Sequence, residues 1–176
     1  KGKRRVDMAD YTKAVEDYLL KYPTTAWFEL VSGMGVNPFS MGVFLESGLN
    51  VKAHWKNAGP NTFEIIKKQL SDDIPVPMGI YSMDAKTKGV RLFNDVGGSP
   101  VFNNCRASSH YVTVTGVMED FHGMRRALEI SSWGKRMYLD YDEFENFRDG
   151  EKTQYRGLKK LINRVGSGIL LIKREK

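Results

Sequence analysis

Short runs of β-type residues fill the second half of the chain, and they constrain its fold more than any other feature. Four runs rich in β-branched and aromatic residues are separated by turn signals: HYVTVTGVM, RRALEISSW, RMYLDY and GILLIKR. Two helical stretches, DYDEFENF and GLKKLINRV, lie between the last two runs. Consecutive strands joined by tight turns pair in antiparallel fashion. We therefore expect residues 109–176 to form mainly an antiparallel sheet.

The first half of the chain, residues 1–83, is expected to be mainly helical. The spacing of its apolar residues predicts helices over 9–22, 25–31, 40–47 and 61–70, with strands over 50–55 and 74–82. The polar, glycine-rich stretch 84–108, including DVGGSP at 95–100, is expected to be a long loop overhanging a cleft. Helices followed by a sheet are typical of an α+β architecture. A length of 176 residues favours one domain around one core.

The net charge of +6 is concentrated at the two ends of the chain. Basic ends can bind nucleic acid or an anionic surface. No aromatic residues alternate with these charges to stack on bases, so solvated ends are favoured and nucleic acid is not the expected partner. No apolar run approaches the roughly 18 residues that a membrane span needs.

The few cysteines and histidines limit the chemistry of the chain. The single cysteine, Cys105, excludes an internal disulfide and a cysteine-based zinc cluster. His54, between lysines, and His122, in a turn, are expected to be exposed and without a role. The acidic run 140–145 is expected to begin a capped, solvated helix and not to hold a cation.

His110 is the strongest candidate for a catalytic group. It begins a strand directly after the small polar residues 107–109, and a general base needs such rigid support. In a β-hairpin the start of the first strand lies beside the end of the second, so residues 131–132 should lie next to His110. A polar side chain at 131 or 132 is expected to orient the imidazole, and Trp133 to shield that hydrogen bond from water. This is the base-and-orienter part of a nucleophile–base–orienter arrangement.

The segments SHYVTVTGV, LEISSWGKRMYLDYDEF and GSGILLIK resemble the C-terminal half of papain-like cysteine peptidases. In that family a histidine begins one strand, and an Asn-Ser-Trp-Gly motif ends the next. The spacing is similar to that of the bacterial branch that includes bacteriocin-processing (double-glycine) peptidases. The resemblance covers roughly residues 30–172 and is sharp only in the last third.

The resemblance implies a papain-like α+β fold, with N-terminal helices packed on a twisted antiparallel sheet. It also implies peptide-bond cleavage by a thiolate, with His110 as general base, Ser131 orienting it and Trp133 covering the pair. No metal and no organic cofactor are implied, and the expected substrates are peptides or protein segments, including ones with glycine-rich ends. A bacterial source and a soluble protein are implied as well. Because the chain opens with Lys1 and not Met, we expect an upstream segment that is removed, as in secreted or cell-envelope proteins.

The chain departs from the family pattern at two positions. Ser131 stands where the family has its orienting asparagine, and no cysteine begins a helix near the start of the chain, where the helix dipole would activate a thiol. Three explanations remain open. The nucleophile lies upstream of Lys1, the protein is a non-catalytic relative, or Cys105 serves in its place. A small buried thiol is the favoured reading of Cys105.

Two other functions are weighed against peptide hydrolysis. The first is a catalytically inactive papain-like module that binds a peptide or a protein partner through the same cleft. The second, less favoured, is an anion- or nucleic-acid-binding domain that works through its basic ends. The sequence does not indicate an oligomeric state.

Overall fold

A computed structural model describes residues 38–49, 51–83 and 88–174. These residues form four helices and eight strands. The helices are α1 (Pro38–Leu49), α2 (Thr62–Ser71), α3 (Tyr141–Gln154) and α4 (Gly157–Gly166). The strands are β1 (Val51–Asn57), β2 (Val76–Tyr81), β3 (Val90–Val96), β4 (Ser99–Ala107), β5 (Ser109–Phe121), β6 (Met124–Ser132), β7 (Lys135–Asp140) and β8 (Gly168–Arg174).

All eight strands belong to one sheet, in the order β1-β8-β2-β5-β6-β7-β3-β4. Every recorded pairing is antiparallel. Strands β5, β6 and β7 form a meander, and β3 and β4 form a hairpin that joins it through β7. β2 meets β8 only through the pair Met78 and Ile169, so the sheet is weakly joined there.

The sheet must curl strongly between β5 and β4. Only Ser108 separates these two strands in the chain, which limits the distance between their ends to about 7 Å. In a flat sheet the three intervening strands would hold them about 19 Å apart, at about 4.8 Å per strand. The curl therefore brings the end of β4 to the start of β5. A hydrogen bond from the Ser82 backbone N–H to the Ser108 carbonyl ties the end of β2 to the same place.

The inner face of this curled sheet holds the hydrophobic core. Alternate residues of each strand point inward because side chains in a strand alternate between faces. Helices α2 and α3 cover this face with Phe63, Ile66, Tyr141 and Phe144. The strand residues of the core include Val76, Met78, Ile80, Val90, Leu92, Val112, Val114, Leu128, Ile130, Met137, Leu139 and Ile169.

The start of α3 is fixed by caps and ion pairs. The Asp140 side chain accepts hydrogen bonds from the backbone N–H groups of Asp142 and Glu143, at 2.9 and 3.4 Å. This confirms the capped helix start expected for the acidic run 140–145. Arg126 pairs with Asp142 and Glu145, so β6 is tied to the first turn of the helix.

The papain-like α+β fold expected from the resemblance is wrong. The described residues form one large antiparallel sheet with few helices, and such an architecture is not the papain-like one. The expected loop over 84–108 is also wrong for residues 90–107, which form β3 and β4. Gly97 and Gly98 of DVGGSP make the turn of this hairpin, with φ of +62° and +86°. Strands β3 and β4 therefore make the sheet two strands wider than the sequence analysis predicted.

The other predicted elements lie close to their expected positions. The structure confirms the helices predicted over 40–47 and 61–70, the strands over 50–55 and 74–82, the four β-type runs and the helical stretches between the last two. The helices predicted over 9–22 and 25–31 lie outside the described residues.

Gly79 of β2 lets helix α4 approach the outer face of the sheet. A Cβ at this position would lie 2.2 Å from the carbonyl oxygen of Gly166, an impossible distance for a real contact. We expect Gly79→Ala to lower the free energy of unfolding by about 1–3 kcal/mol, because the backbone of α4 must move. Gly150→Ala in α3 meets open space and should raise it by up to about 1 kcal/mol. Urea unfolding of both variants measures these changes in the free energy of unfolding. If Gly79→Ala destabilised the protein no more than Gly150→Ala, the close packing of α4 on Gly79 would be contradicted.

Candidate active site

His110 is held at the start of β5 by its neighbours on β2. Its backbone pairs with Ile80. The preceding Ser109 hydroxyl donates a hydrogen bond of 3.0 Å to the carbonyl oxygen of Ser82. On the other side, the β5–β6 ladder begins only at the pair Thr113 and Ser131. The first residues of β5 are therefore fixed on one edge and open on the other.

The His110 side chain makes its hydrogen bond across this opening. Its Nε2 lies 2.7 Å from Oγ of Ser132, the last residue of β6. Ser132 is buried, at 5% exposure, whereas His110 is half-buried. The structure records no hydrogen bond between Nδ1 of His110 and any described residue. One ring nitrogen is thus oriented by a buried hydroxyl, and the other is left available.

The hydroxyl that contacts the imidazole is that of Ser132, one residue after Ser131, which the resemblance implies as the orienting residue. Ser131 is exposed and lies on the opposite face of β6. Side chains alternate with a period of two, so a shift of one residue reverses the face. Ile130 and Ser132 share the inner face of β6, as Val112 and His110 share that of β5. Ser131 still lines the groove described below, but it makes no recorded hydrogen bond to the imidazole.

Trp133 lies against His110, in the turn that follows β6. Its ring stacks on that of His110, with centroids 4.2 Å apart and planes 17° from parallel. Trp133 and Gly134 form the two-residue turn between β6 and β7, with φ of +47° and +70°. Positive φ at both positions is characteristic of a type I′ hairpin turn. A bulky residue in this conformation is strained, and such strain is found at functional sites.

Burial lowers the pKa of His110 below its ordinary value of 6.5. The described surroundings explain this direction, because the imidazole lies between a stacked indole and a neutral hydroxyl. A buried imidazole is neutral at pH 7, so one of its nitrogens carries a lone pair that can accept a proton.

His110 lines a groove of about 950 Å³ beside α1, at the start of β5 and the end of β6. Residues of both faces of the sheet line it there, with His110 and Ser132 from the inner face and Pro77 and Thr113 from the outer face. Apolar side chains form much of its wall, and no aspartate, glutamate, lysine or arginine lines its described part. Glu46 of α1 accepts a 2.8 Å hydrogen bond from the Ala53 backbone N–H and fixes this helix on β1. The residues that line the groove are Met41, Leu45, Pro77, His110, Tyr111, Val112, Thr113, Ser131, Ser132, Trp133 and Gly134.

Cys105 does not lie at this groove. It stands on β4, paired with Leu92 of β3, and it packs against the hydrophobic core. Its thiol is half-buried, so the structure places it at the margin of the core. His54 and His122 are exposed, as expected.

The sequence analysis missed the residues that shape the groove. Met41 and Leu45 stand four residues apart on α1 and face β5. Pro77 and Thr113 are a cross-strand pair on the outer face of the sheet. Helical spacing in PFSMGVFLESGL indicated the helix, but nothing in the sequence showed which strand it covers.

Two further kinds of site were sought in the structure. Within residues 38–49, 51–83 and 88–174, no group of three or more His, Cys, Asp or Glu side chains is arranged to hold a metal ion. No helix in the described part of the chain is both long and apolar enough to cross a bilayer.

Comparisons with known proteins do not assign the chain to a family. No protein-family model, no curated protein and no solved structure matches it.

We expect the imidazole of His110 to titrate below about pH 6.5, because its burial disfavours the charged form. The unfolded chain then binds this proton more readily than the folded one. The contribution of His110 to the free energy of unfolding is therefore fully present above the pKa that this residue has in the unfolded chain. It is lost as the pH falls towards the lower pKa of the folded protein. A titration of the imidazole resonances by NMR measures this, and His110→Gln identifies the signal. A midpoint at or above that of a model histidine would contradict the burial.

Trp133→Asn separates the strain of the turn from the cover it gives to His110. Asn-Gly is the preferred sequence for a type I′ turn, so the free energy of unfolding should hold or rise by up to about 1 kcal/mol. The pKa of His110 should rise towards its ordinary value, because the ring loses its cover. Trp133→Val is the matched control, since a β-branched residue at positive φ should destabilise the turn. Urea unfolding measures both variants. If Trp133→Asn lost more stability than Trp133→Val, the claim that Trp133 is strained in this turn would be contradicted.

Proposed function

We propose that His110 is the general base of a hydrolytic site that cleaves peptide bonds in segments bound along the groove. The hydrogen bond between His110 and buried Ser132, beneath the Trp133 ring, carries this proposal. A general base must be fixed in direction and must be neutral at the working pH. The hydrogen bond supplies the first property, and the lowered pKa of His110 supplies the second.

The base is Nδ1 and not Nε2. For Nδ1 to hold the lone pair, the proton of the neutral ring must lie on Nε2 and be donated to Oγ of Ser132. Ser132 then acts as a positioning residue, which selects one tautomer and holds the ring plane. Trp133 limits the access of water to this hydrogen bond, because its indole lies parallel to the imidazole.

Ser132 itself is a poor candidate for the nucleophile. A nucleophile must reach the scissile carbonyl, but Ser132 is only 5% exposed. Cys105, the single cysteine of the chain, packs against the core and does not line the groove. We therefore propose that the attacking thiol comes from outside residues 1–176, where it would meet Nδ1.

The groove fits an uncharged, extended peptide. Apolar residues on both walls, such as Met41 and Pro77, can contact side chains of a peptide. The hydroxyls of Thr113 and Ser131 lie in the same groove and can bind its backbone. Pockets of this kind, mostly apolar with a few polar groups, are typical of ligand sites.

A second function, peptide binding without cleavage, is favoured by one observation. The described residues of the groove supply apolar walls but no thiol. In that case His110 contributes a hydrogen bond to the bound peptide and no proton transfer.

Cleavage of a peptide library by the purified native protein tests the two functions. His110→Ala should lower kcat/KM by roughly 10²–10⁴-fold, because proton transfer is lost. Ser132→Ala should lower kcat more than it raises KM, and should change the pH profile, because the ring loses its orientation. His54→Ala, at an exposed histidine on β1, is the control and should leave the rate unchanged.

Either of two results would contradict the hydrolytic function. The first is cleavage that persists in His110→Ala at the wild-type rate. The second is retention of peptides without cleavage, with an affinity only modestly lower in His110→Ala than in the wild type, which would favour the binding module.

A further inference from the structure

Helix α4 turns its most apolar side away from the core. Leu158 and Leu161 are 68% and 56% exposed, although both are large aliphatic residues. The buried residues of this helix are Asn163 and Gly166. A surface helix ordinarily buries its apolar stripe, so α4 departs from the usual arrangement.

The side of α4 that contacts the domain is small and polar. Asn163 accepts a 2.9 Å hydrogen bond from the backbone N–H of Met83 through its Oδ1. Gly166 lies so close to Tyr81 that an added Cβ would approach the ring to 2.5 Å. The carbonyl oxygen of Val165 accepts a 2.6 Å hydrogen bond from Nε1 of Trp55. These contacts fix the helix without using its leucines.

The apolar and docked sides of α4 are separated around the helix axis. At about 100° per residue, Leu158, Leu161 and Val165 lie on one side, and the mean direction of Asn163 and Gly166 lies about 140° away. The helix can therefore offer its leucines to a partner while its other side stays packed on the domain.

The same segment carries only positive charge. Arg156, Lys159, Lys160 and Arg164 are exposed, and no acidic residue occurs between positions 152 and 174. The structure records no ion pair between these four cations and any described residue. Apolar side chains flanked by unpaired cations form a surface that fits an anionic and partly apolar partner.

The charge decides among the possible partners. A second copy of this helix is disfavoured, because two faces of the same sign would repel. Nucleic acid is disfavoured, because the segment 156–168 has leucines and no aromatic residue to stack on bases. Clusters of lysine and arginine on an amphipathic helix are characteristic of binding to anionic lipids.

We propose that α4 is an interfacial anchor that binds the surface of anionic lipid bilayers. Leu158 and Leu161 enter the region between head groups and acyl chains, while Lys159, Lys160 and Arg164 contact lipid phosphates. The helix lies in the plane of the surface and does not span the bilayer. No residue of α4 lines the groove of His110, so this surface is independent of the proposed hydrolytic site.

Flotation of the full chain with lipid vesicles tests this anchor. We expect binding to mixed phosphatidylcholine–phosphatidylglycerol vesicles, weakened by salt, and little binding to phosphatidylcholine alone. Removing two charges in the double variant Lys159→Gln and Lys160→Gln should weaken binding about thirtyfold. The double variant Leu158→Ser and Leu161→Ser should weaken it at least tenfold, because apolar burial is lost.

Matched changes elsewhere separate the surface of α4 from the general charge of the chain. The double variant Lys56→Gln and Lys68→Gln removes the same charge from exposed sites on β1 and α2 and should bind as the wild type does. Val96→Ser, at an exposed apolar residue of β3, is the control for the leucines. Equal loss in the Lys56 and Lys68 variant would overturn the proposal. Binding to a peptide of alternating leucine and glutamate, without binding to vesicles, would overturn it in favour of an acidic protein partner.

Discussion

The curl of the sheet between β5 and β4 is the constraint on which the rest of the structure depends. Ser108 alone joins these strands, while β6, β7 and β3 lie between them in the sheet. The strands can satisfy both conditions only by wrapping around their own apolar side chains. The wrap forms the core, brings the end of β4 to the start of β5, and lets α2 and α3 cover the inner face. The groove lies beside α1, at the start of β5.

The candidate site arises where the regular pairing of the sheet stops. β5 pairs with β2 from its first residue but with β6 only from Thr113, so His110 is held on one edge and free to bond Ser132 on the other. The tight turn at Trp133 and Gly134 then folds the indole back over the imidazole. A side chain fixed by a sheet and covered by a strained turn is rigid, and rigidity is what acid–base chemistry requires. The apolar side of α4 is exposed because this helix packs on the domain through Asn163 and Gly166.

Local patterns predicted most helices and strands, whereas the sheet order and the role of 84–108 depended on distant partners. Residues 90–107 contain Asn94, Gly97 and Gly98, which are more typical of loops than of strands. They form strands because β3 pairs with β7 and β4 pairs with β3. The position of Ser132 could have been predicted from the sequence. Leu128, Ile130 and Ser132 are alternate residues of β6 and therefore lie on the same face, and the apolar side chains of Leu128 and Ile130 indicate that this face is buried. The groove could not be predicted, because it depends on where α1 packs. The resemblance to papain-like peptidases predicted the wrong fold, and its prediction for His110 stays a prediction.

The tautomer of His110 tests the central claim of this account most directly. Nitrogen chemical shifts of the ring, measured by NMR above its pKa, distinguish a proton on Nε2 from a proton on Nδ1. If Ser132 orients a base that faces the groove, the proton lies on Nε2 and the Ser132→Ala variant populates both tautomers. A proton on Nδ1 in the wild-type protein would contradict the account, because the lone pair would then face the buried hydroxyl of Ser132 and not the groove.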